Sequence, residues 1–552
     1  MLRTLALAPL ALLLASTALP QALIRSHYGA EMDSRAGVVA AAGDVDLDGV
    51  PDYLVGAPST AVPARATLIS GATGQAIWTR VAVPPEDLGR ALCGVGDIDA
   101  DGVPDFAVGA PNHSSVAPFG GRVYLVSGAS GTVLRTLDGT LQNTSLGSDL
   151  ANAGDLDGDG VDDLIVGAPG DRLFHGGPSL GSARVYSGAS GALLHTFYGD
   201  GNFWVWGSSV AAAGDVDGDG SPDVVVGSYT VGRVRVYSGR TGDLIRTHGL
   251  DPYLARLGAD VMGLGDVDAD GFDDYAASAP NGGPASLGSP GVVRVFSGAS
   301  GATLFDVEGQ DSGIDDYGTV MAAAGDWNGD GVTDFAATGY TRVEVRSGAD
   351  GALLRTLLDG YGVQLFRLRN GLASPGDLDG DGIPELLYGD DRWDDRSSSP
   401  WQTEVGRVFV LSGSEVVGRR VCEDTAGVFG QRLLDAQGSA RIADDDLTLT
   451  VANLPAHTAG YFLTSNGTGV LSFPGASSGV LCIHDPGGMG RHYDSLQSTD
   501  VGGWFHFRVD LSRIPTPTGL TSVLPGETRY WQLWHRLGAS SRFSTAVAVT
   551  FQ

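Results

Sequence analysis

Lysine is absent from this 552-residue sequence. All 34 cationic side chains other than histidine are arginines, scattered mostly singly against 65 Asp and Glu, for a formal net charge of −31 at pH 7. A chain of this balance with no basic patch repels phosphate backbones and anionic membrane surfaces, so nucleic acid is excluded as a partner. Cysteine is scarce as well: Cys93, Cys422 and Cys482 are the only three, too few for a disulfide-stapled scaffold. Charged residues make up only 18% and hydrophobic ones 42%, so the composition is not that of a disordered chain. Beyond the first twenty or so residues no apolar run approaches the roughly 18 that a membrane helix requires, and no transmembrane segment is expected. Helical periodicity is missing too.

Glycine is what the sequence has in excess, 84 residues beside 26 prolines. With apolar material sufficient for a large core, that points to many tight turns and an all-β fold, and the length to roughly two to four units. The first residues differ from the rest. Arg3 precedes an apolar run from Leu5 to Leu14 broken only by Pro9, then Ala15-Ser16-Thr17-Ala18. This reads as a signal peptide over residues 1–22, cleaved after Ala18 or Ala22, and predicts a secreted or cell-surface protein.

Internal repetition dominates residues 23–420. Seven times the chain runs through Gly-Asp, further acids at alternate positions, a glycine and a last acid, with openings 53, 58, 60, 51, 60 and 51 residues apart. A glycine after an apolar residue stands eight positions before most openings, as in Leu88-Gly89 and Leu146-Gly147; the first repeat has Arg35-Ala36 there and the seventh Phe366-Arg367-Leu368-Arg369. After the last acid comes an apolar run ending in Gly-Ala-Pro or a degraded copy, then an alternating run and a Ser-Gly turn such as Ser127-Gly128. Each repeat therefore reads as four short antiparallel strands, and seven such units make a seven-bladed β-propeller. The seventh repeat offers only three clear strands. Ala22 to Gly29 closely matches the fourth strand Ala192 to Gly199, so the N-terminal segment is expected to complete the seventh blade and latch the ring.

The acidic loops present oxygen ligands at positions 1, 3, 5 and 9, with a carbonyl available at position 7 and a turn glycine at position 6. Such a set suits a hard cation of Ca²⁺ size. The candidate ligands are Asp44, Asp46, Asp48 and Asp52 in the first loop; Asp97, Asp99, Asp101 and Asp105 in the second; Asp155, Asp157, Asp159 and Asp163 in the third. The fourth has Asp215, Asp217, Asp219 and Asp223, and the fifth Asp266, Asp268, Asp270 and Asp274. The sixth has Asp326, Asn328, Asp330 and Asp334, and the seventh Asp377, Asp379, Asp381 and Glu385. Up to seven Ca²⁺ ions are expected, with the Asn328 and Glu385 loops coordinated differently. An EF-hand would carry a bidentate glutamate at position 12, where these loops have Val55, Val108, Val166, Val226, Ala277, Ala337 and Tyr388; that reading fails.

These repeats resemble the FG-GAP family, the Ca²⁺-binding propeller of integrin α-subunits and of many secreted bacterial proteins. The resemblance implies an Asp-rich Ca²⁺ loop between the first two strands of a blade, as read from the residues. It also implies a ligand-binding face opposite the metal loops.

Residues 421–552 lack the repeat and read as a separate small β-sandwich-like module, with Cys422 and Cys482 a plausible disulfide and Cys93 a small core residue. Gly475-Ala476-Ser477-Ser478-Gly479 has the pattern of a nucleophile elbow, but a strand and not a helix follows. His484, His492 and His506 lack metal-ligand spacing. No catalytic residue is assigned. The leading reading is a monomeric, non-enzymatic extracellular binding or adhesion scaffold. Its protein or glycan ligand would sit on the loops opposite the Ca²⁺ face: His113 to Phe119, Asp171 to Leu180, Asn202 to Val205 with Trp204, Asn281 to Ser289, and Asp391 to Gln402 with Trp393 and Trp401. The alternative is an exported enzyme, a polysaccharide lyase or phospholipase-like hydrolase, using the propeller as scaffold.

Overall fold

The computed structural model describes residues 23–28, 35–174, 177–200, 205–249, 254, 256–283, 290–309, 316–339, 342–358, 371–391 and 406–413, and, from Arg419 onward, the backbone of strands alone. The signal segment lies outside these residues. Seven four-stranded antiparallel sheets follow one another along the chain. In the first blade the strands are Val38–Gly43, Asp52–Ala57, Ala64–Ile69 and Ala76–Ala82, paired in that order. Five further blades repeat the pattern. The seventh is built from Leu372–Gly376, Glu385–Asp390 and Arg407–Leu411, and its fourth strand is the N-terminal Leu23–Tyr28, antiparallel to Arg407–Leu411 with Tyr28 opposite Arg407. The ring is therefore latched by its first strand, as the repeat arithmetic required.

Period-2 alternation explains where the core lies. Each blade is covered on both faces, so the second strand is buried at every position, as in Asp105–Ala110. Its residues divide between two neighbours. Phe106 and Val108 pack with Leu54, Leu68 and Tyr124 in the seam between blades 1 and 2, whereas Ala107 packs with Leu164 and Val166 between blades 2 and 3. Every seam has such a cluster, and the closing one joins Val39, Tyr53 and Val55 of blade 1 to Leu387, Val408 and Val410 of blade 7. Ala36 also bridges Gly406 across that seam. First strands converge on the axis, which is why they are rich in small residues: a Cβ on Gly94 would stand 2.9 Å from the Ala41 carbonyl. Cys93 is buried there, and burial pushes its thiol up to about 12.

Among the described residues, hydrogen bonds join aromatic side chains across seams. His27 Nε2 lies 2.6 Å from the Tyr53 hydroxyl in the closing seam, and His248 Nε2 lies 2.7 Å from the Tyr275 hydroxyl between blades 4 and 5. His248 also stacks on Phe296 at 4.1 Å. Burial, with Arg246 and Arg294 nearby, holds its imidazole down at about 4.

Beyond the ring, Arg419–Cys422, Ser540–Thr550, Thr528–Leu537 and Ala459–Ser465 pair in one sheet. Leu434–Gly438, Leu447–Val451 and Phe505–Val509 pair in another. The expected sandwich packing, the Cys422–Cys482 disulfide, the Gly475–Gly479 segment and His484, His492 and His506 depend on side chains outside the described residues.

Deletion of residues 23–28 should lower the calorimetric melting temperature of the whole ring, because it uncovers Arg407–Leu411 and one face of the closing seam; an unchanged transition would refute the latch. His248 stays neutral in the fold, so its contribution is complete above the unfolded pKa of about 6.5 and is lost as pH falls toward about 4. His248→Phe keeps the stack and removes that loss. Its stability relative to wild type should rise by up to about 3 kcal/mol between pH 7 and pH 4, read by urea unfolding at both.

Candidate metal centre

Each acidic loop begins where the first strand breaks register. Ala41 faces Tyr53 but Gly43 faces Asp52, a one-residue bulge that the left-handed Gly43 (φ 80°) makes possible. The same bulge recurs in blades 2 to 6 with Gly96, Gly154, Gly214, Gly265 and Gly325. It turns the chain out of the sheet and into the loop.

Inside the loop the carboxylates first organise the backbone. In the second loop Asp97 Oδ1 accepts from the Asp101 amide at 3.1 Å and Oδ2 from the Gly102 amide at 2.8 Å. Asp99 Oδ1 accepts from the Asp101 amide and Asp101 Oδ1 from the Val103 amide. Position 4 is left-handed throughout. Gly158, Gly218, Gly329 and Gly380 adopt it freely, whereas Leu47 (φ 58°), Ala100 (φ 61°) and Ala269 (φ 60°) are held there against their own preference. A strained conformation kept regardless of residue type marks the loop shape as imposed by its surroundings.

The result is a tight gathering of oxygens. Ligand-capable oxygens of Asp44, Asp46 and Asp48 lie within 4.8 Å of one another, as do those of Asp97, Asp99 and Asp101. The third, fourth and fifth loops gather positions 1, 3 and 9: Asp155, Asp157 and Asp163; Asp215, Asp217 and Asp223; Asp266, Asp268 and Asp274. In the sixth loop Asn328 preserves the turn, accepting from the Asp330 amide at 2.8 Å, while its Nδ2 donates to Asp330 Oδ2. In the seventh, Asp377 accepts from the Gly380 and Gly382 amides and Asp381 from Ile383. All-oxygen sets of this kind fit a hard divalent cation.

Position 9 has a second task that the motif does not announce. Asp52, Asp105, Asp163, Asp223, Asp274, Asp334 and Glu385 are all fully buried. Asp105 Oδ2 accepts from the Ile98 amide of its own loop at 2.9 Å, and Oδ1 accepts from the Gly128 amide in the Ser-Gly turn between strands three and four at 2.8 Å. The other six acids make the same pair of bonds, from Asp52 with Val45 and Gly71 to Asp334 with Trp327 and Gly348. One carboxylate thus ties together the two turns on this face of a blade. The turn glycine is obligatory, because a Cβ on Gly128 would stand 2.0 Å from the Pro104 carbonyl. The sequence signal was present in the pairing of a ninth-position acid with a Ser-Gly in every repeat, but variable separation between them hides it from any fixed-spacing motif.

Burial raises these acids, and the neighbouring loop carboxylates add to it. Burial, aided by loop carboxylates, pushes Asp163 up to about 6 and Asp223 to about 7. Glu385 is pushed to about 9 by burial and by Asp379. Its extra methylene also makes the clamp uneven, with Leu378 N 2.5 Å from Oε2 and Gly413 N 3.4 Å from Oε1. A cation among these carboxylates would offset the repulsion.

Asp105→Asn would set an amide NH₂ against a backbone N–H, and Gly128→Ala would force the two turns apart. Each should cost more than about 2 kcal/mol in urea unfolding; a wild-type midpoint for Asp105→Asn would show that the carboxylate is not a clamp.

The FG-GAP repeat family matches residues 88–126, 146–186 and 206–241, in each case the first three strands of blades 2, 3 and 4 with the acidic loop between. Among curated proteins, integrin alpha-5 of Xenopus laevis is 28% identical over 230 residues, 38% of this chain and 21% of that protein. Integrin alpha-V of Gallus gallus is 27% identical over 198 residues, 33% of this chain and 18% of that protein. Human integrin alpha-IIb is 33% identical over 226 residues, 37% of this chain and 21% of that protein. The matches span about a fifth of the length of these relatives. The seven-bladed ring thus carries FG-GAP repeats in blades 2, 3 and 4 and is similar over part of its length to integrin alpha chains.

Proposed function

We propose that this chain is a secreted or cell-surface, calcium-binding propeller that acts as a non-enzymatic binding or adhesion scaffold. The observation that carries the reading is the division of labour between the two faces. One face bears the repeated acid loops, each clamped to the neighbouring turn of its blade. The cation would be held by the side chains at positions 1, 3, 5 and 9, Asp44, Asp46, Asp48 and Asp52 in the first loop, with the Val50 carbonyl at position 7. When bound it would supply charge neutralisation and rigidity. Ca²⁺ fits better than Mg²⁺, which dehydrates reluctantly and demands a smaller octahedral cage.

The opposite face bears the connections between strands two and three and between blades. These are stitched together: the Asn143 amide donates to the Pro118 carbonyl, and the Gly170 amide to the Thr144 carbonyl. Apolar side chains stand exposed on this wall, among them Val116, Phe119, Leu173 and Phe174. Trp204, Trp393 and Trp401 lie outside the described residues. Rigid loops carrying exposed aromatics suit an extracellular protein or glycan ligand. Likeness to integrin α chains supports the same reading, and with it a non-enzymatic role.

Thermal unfolding of the full chain with Ca²⁺, with Mg²⁺ and with chelator tests the metal half of this proposal. Saturating Ca²⁺ should raise the melting temperature by at least about 10 °C over chelator, with a smaller effect of Mg²⁺. Identical transitions in all three would remove the cation from the reading.

A further inference from the structure

Position 2 of every acidic loop is apolar although aspartates, or in the sixth loop Asp326 and Asn328, flank it: Val45, Ile98, Leu156, Val216, Val267, Trp327 and Leu378. Solvation of the loop does not explain this choice, and the packing does. Leu156 is buried, and a Cβ on Gly239 would meet its Cδ2 at 2.5 Å. Gly239 is the Ser-Gly turn of the next blade, and its amide donates at 3.1 Å to Asp223, the ninth-position acid of that blade's own loop. The position-2 side chain of loop 3 therefore presses on the turn that holds loop 4. Val45 meets Gly128 and Ile98 meets Gly188 in the same way, Val216 meets Gly298 through its Cα, and Leu378 meets Gly71 across the closing seam, whereas the turn glycines of blades 6 and 7, Gly348 and Gly413, face Val332 and Ile383 of their own loops.

A second link runs through the fourth strands to the same turns. Arg135 of blade 2 donates to the Gly188 and Ala189 carbonyls of blade 3 at 2.7 and 2.9 Å. Arg246 of blade 4 donates to Gly298 and Ala299 of blade 5, and Arg355 of blade 6 to Gly413 of blade 7. In the first seam the Trp78 indole takes this role, donating to Gly131. The Ser-Gly turns of blades 2, 3, 5 and 7 are thus held from two sides, by their own loop's carboxylate and by a hydrogen bond from the preceding blade.

We propose that the cation loops are coupled from blade 7 through blades 1 to 5, so that loading one loop raises the affinity of the next through the position-2 residue and the Ser-Gly turn it contacts. The inference rests on the cation reading given above. A cation held by positions 1, 3 and 5 fixes the loop backbone, including the position-2 residue. That residue fixes the turn of the next blade, which sets the ninth-position acid of the next loop before any cation arrives. Ordering paid once is shared, which is positive cooperativity.

Calcium titration of the full chain by calorimetry, with ion counting by equilibrium dialysis, tests this. Wild type should bind several ions with a Hill coefficient clearly above 1. Replacing the fourth-loop ligands by Asp217→Asn and Asp219→Asn should weaken the remaining sites about fivefold or more and not simply subtract one ion. It should also speed amide exchange at Gly298, the turn of blade 5, at a fixed Ca²⁺ concentration. Leu156→Ala, which leaves every ligand in place, should keep the ion count at saturation and lower the Hill coefficient. Absence of Ca²⁺ binding by wild type would overturn the cation reading and this inference together. Loss of one ion with unchanged affinity elsewhere, or an unaltered Hill coefficient in Leu156→Ala, would overturn the coupling alone.

Discussion

A buried carboxylate at the ninth position of each loop holds the two turns on one face of every blade together, and the rest of the structure is arranged around that bond pair. Asp105 shows the constraint most simply: no exposure to solvent, one oxygen on the Ile98 amide, the other on Gly128. A buried carboxylate is tolerable only when its oxygens are satisfied, so the loop must bend back far enough to present its amide, and the turn must approach closely enough to present its own. The bulge glycine, the left-handed position 4 and the Ser-Gly turn all serve this approach. Where the acid is one methylene longer, at Glu385, the same geometry persists with a looser bond to Gly413.

Seven such blades must then close. A four-stranded blade with both faces apolar has no stable existence alone, since each face needs a neighbour. Closure supplies the last neighbour, and the closing seam is built as well as any other: Tyr53, Val55 and Leu387 share a core, and His27 on the N-terminal strand reaches the Tyr53 hydroxyl. Joining the first strand of the chain to the last blade makes ring integrity depend on both ends of the repeat region.

Charge follows the same architecture. Acids that would repel one another in a flat distribution are gathered in loops where backbone amides already accept part of the burden, and where a divalent cation would take the remainder. Opposite them, the loops carry apolar side chains on a hydrogen-bonded wall. The two faces are separated by the length of a blade, yet each is rigid because of the seams between.

Element count, blade number, loop positions and the latch were legible in the residues, because repetition amplifies a weak local signal and because strand alternation and turn chemistry are local properties. Leu23–Tyr28 could be assigned to the seventh blade from its likeness to Leu193–Tyr198 alone. The second task of the ninth-position acid was not legible. Asp105 and Gly128 are distant along the chain and their separation varies among repeats, so only the folded blade brings carboxylate and amide within 2.8 Å. The apolar residue at position 2 has no local explanation, since its partner, the turn of the following blade, is beside it only once two blades pack. Local pattern determined what each blade would be; which groups meet across and between blades was decided by tertiary packing, where burial makes an unsatisfied amide or carboxylate too costly to leave unpaired.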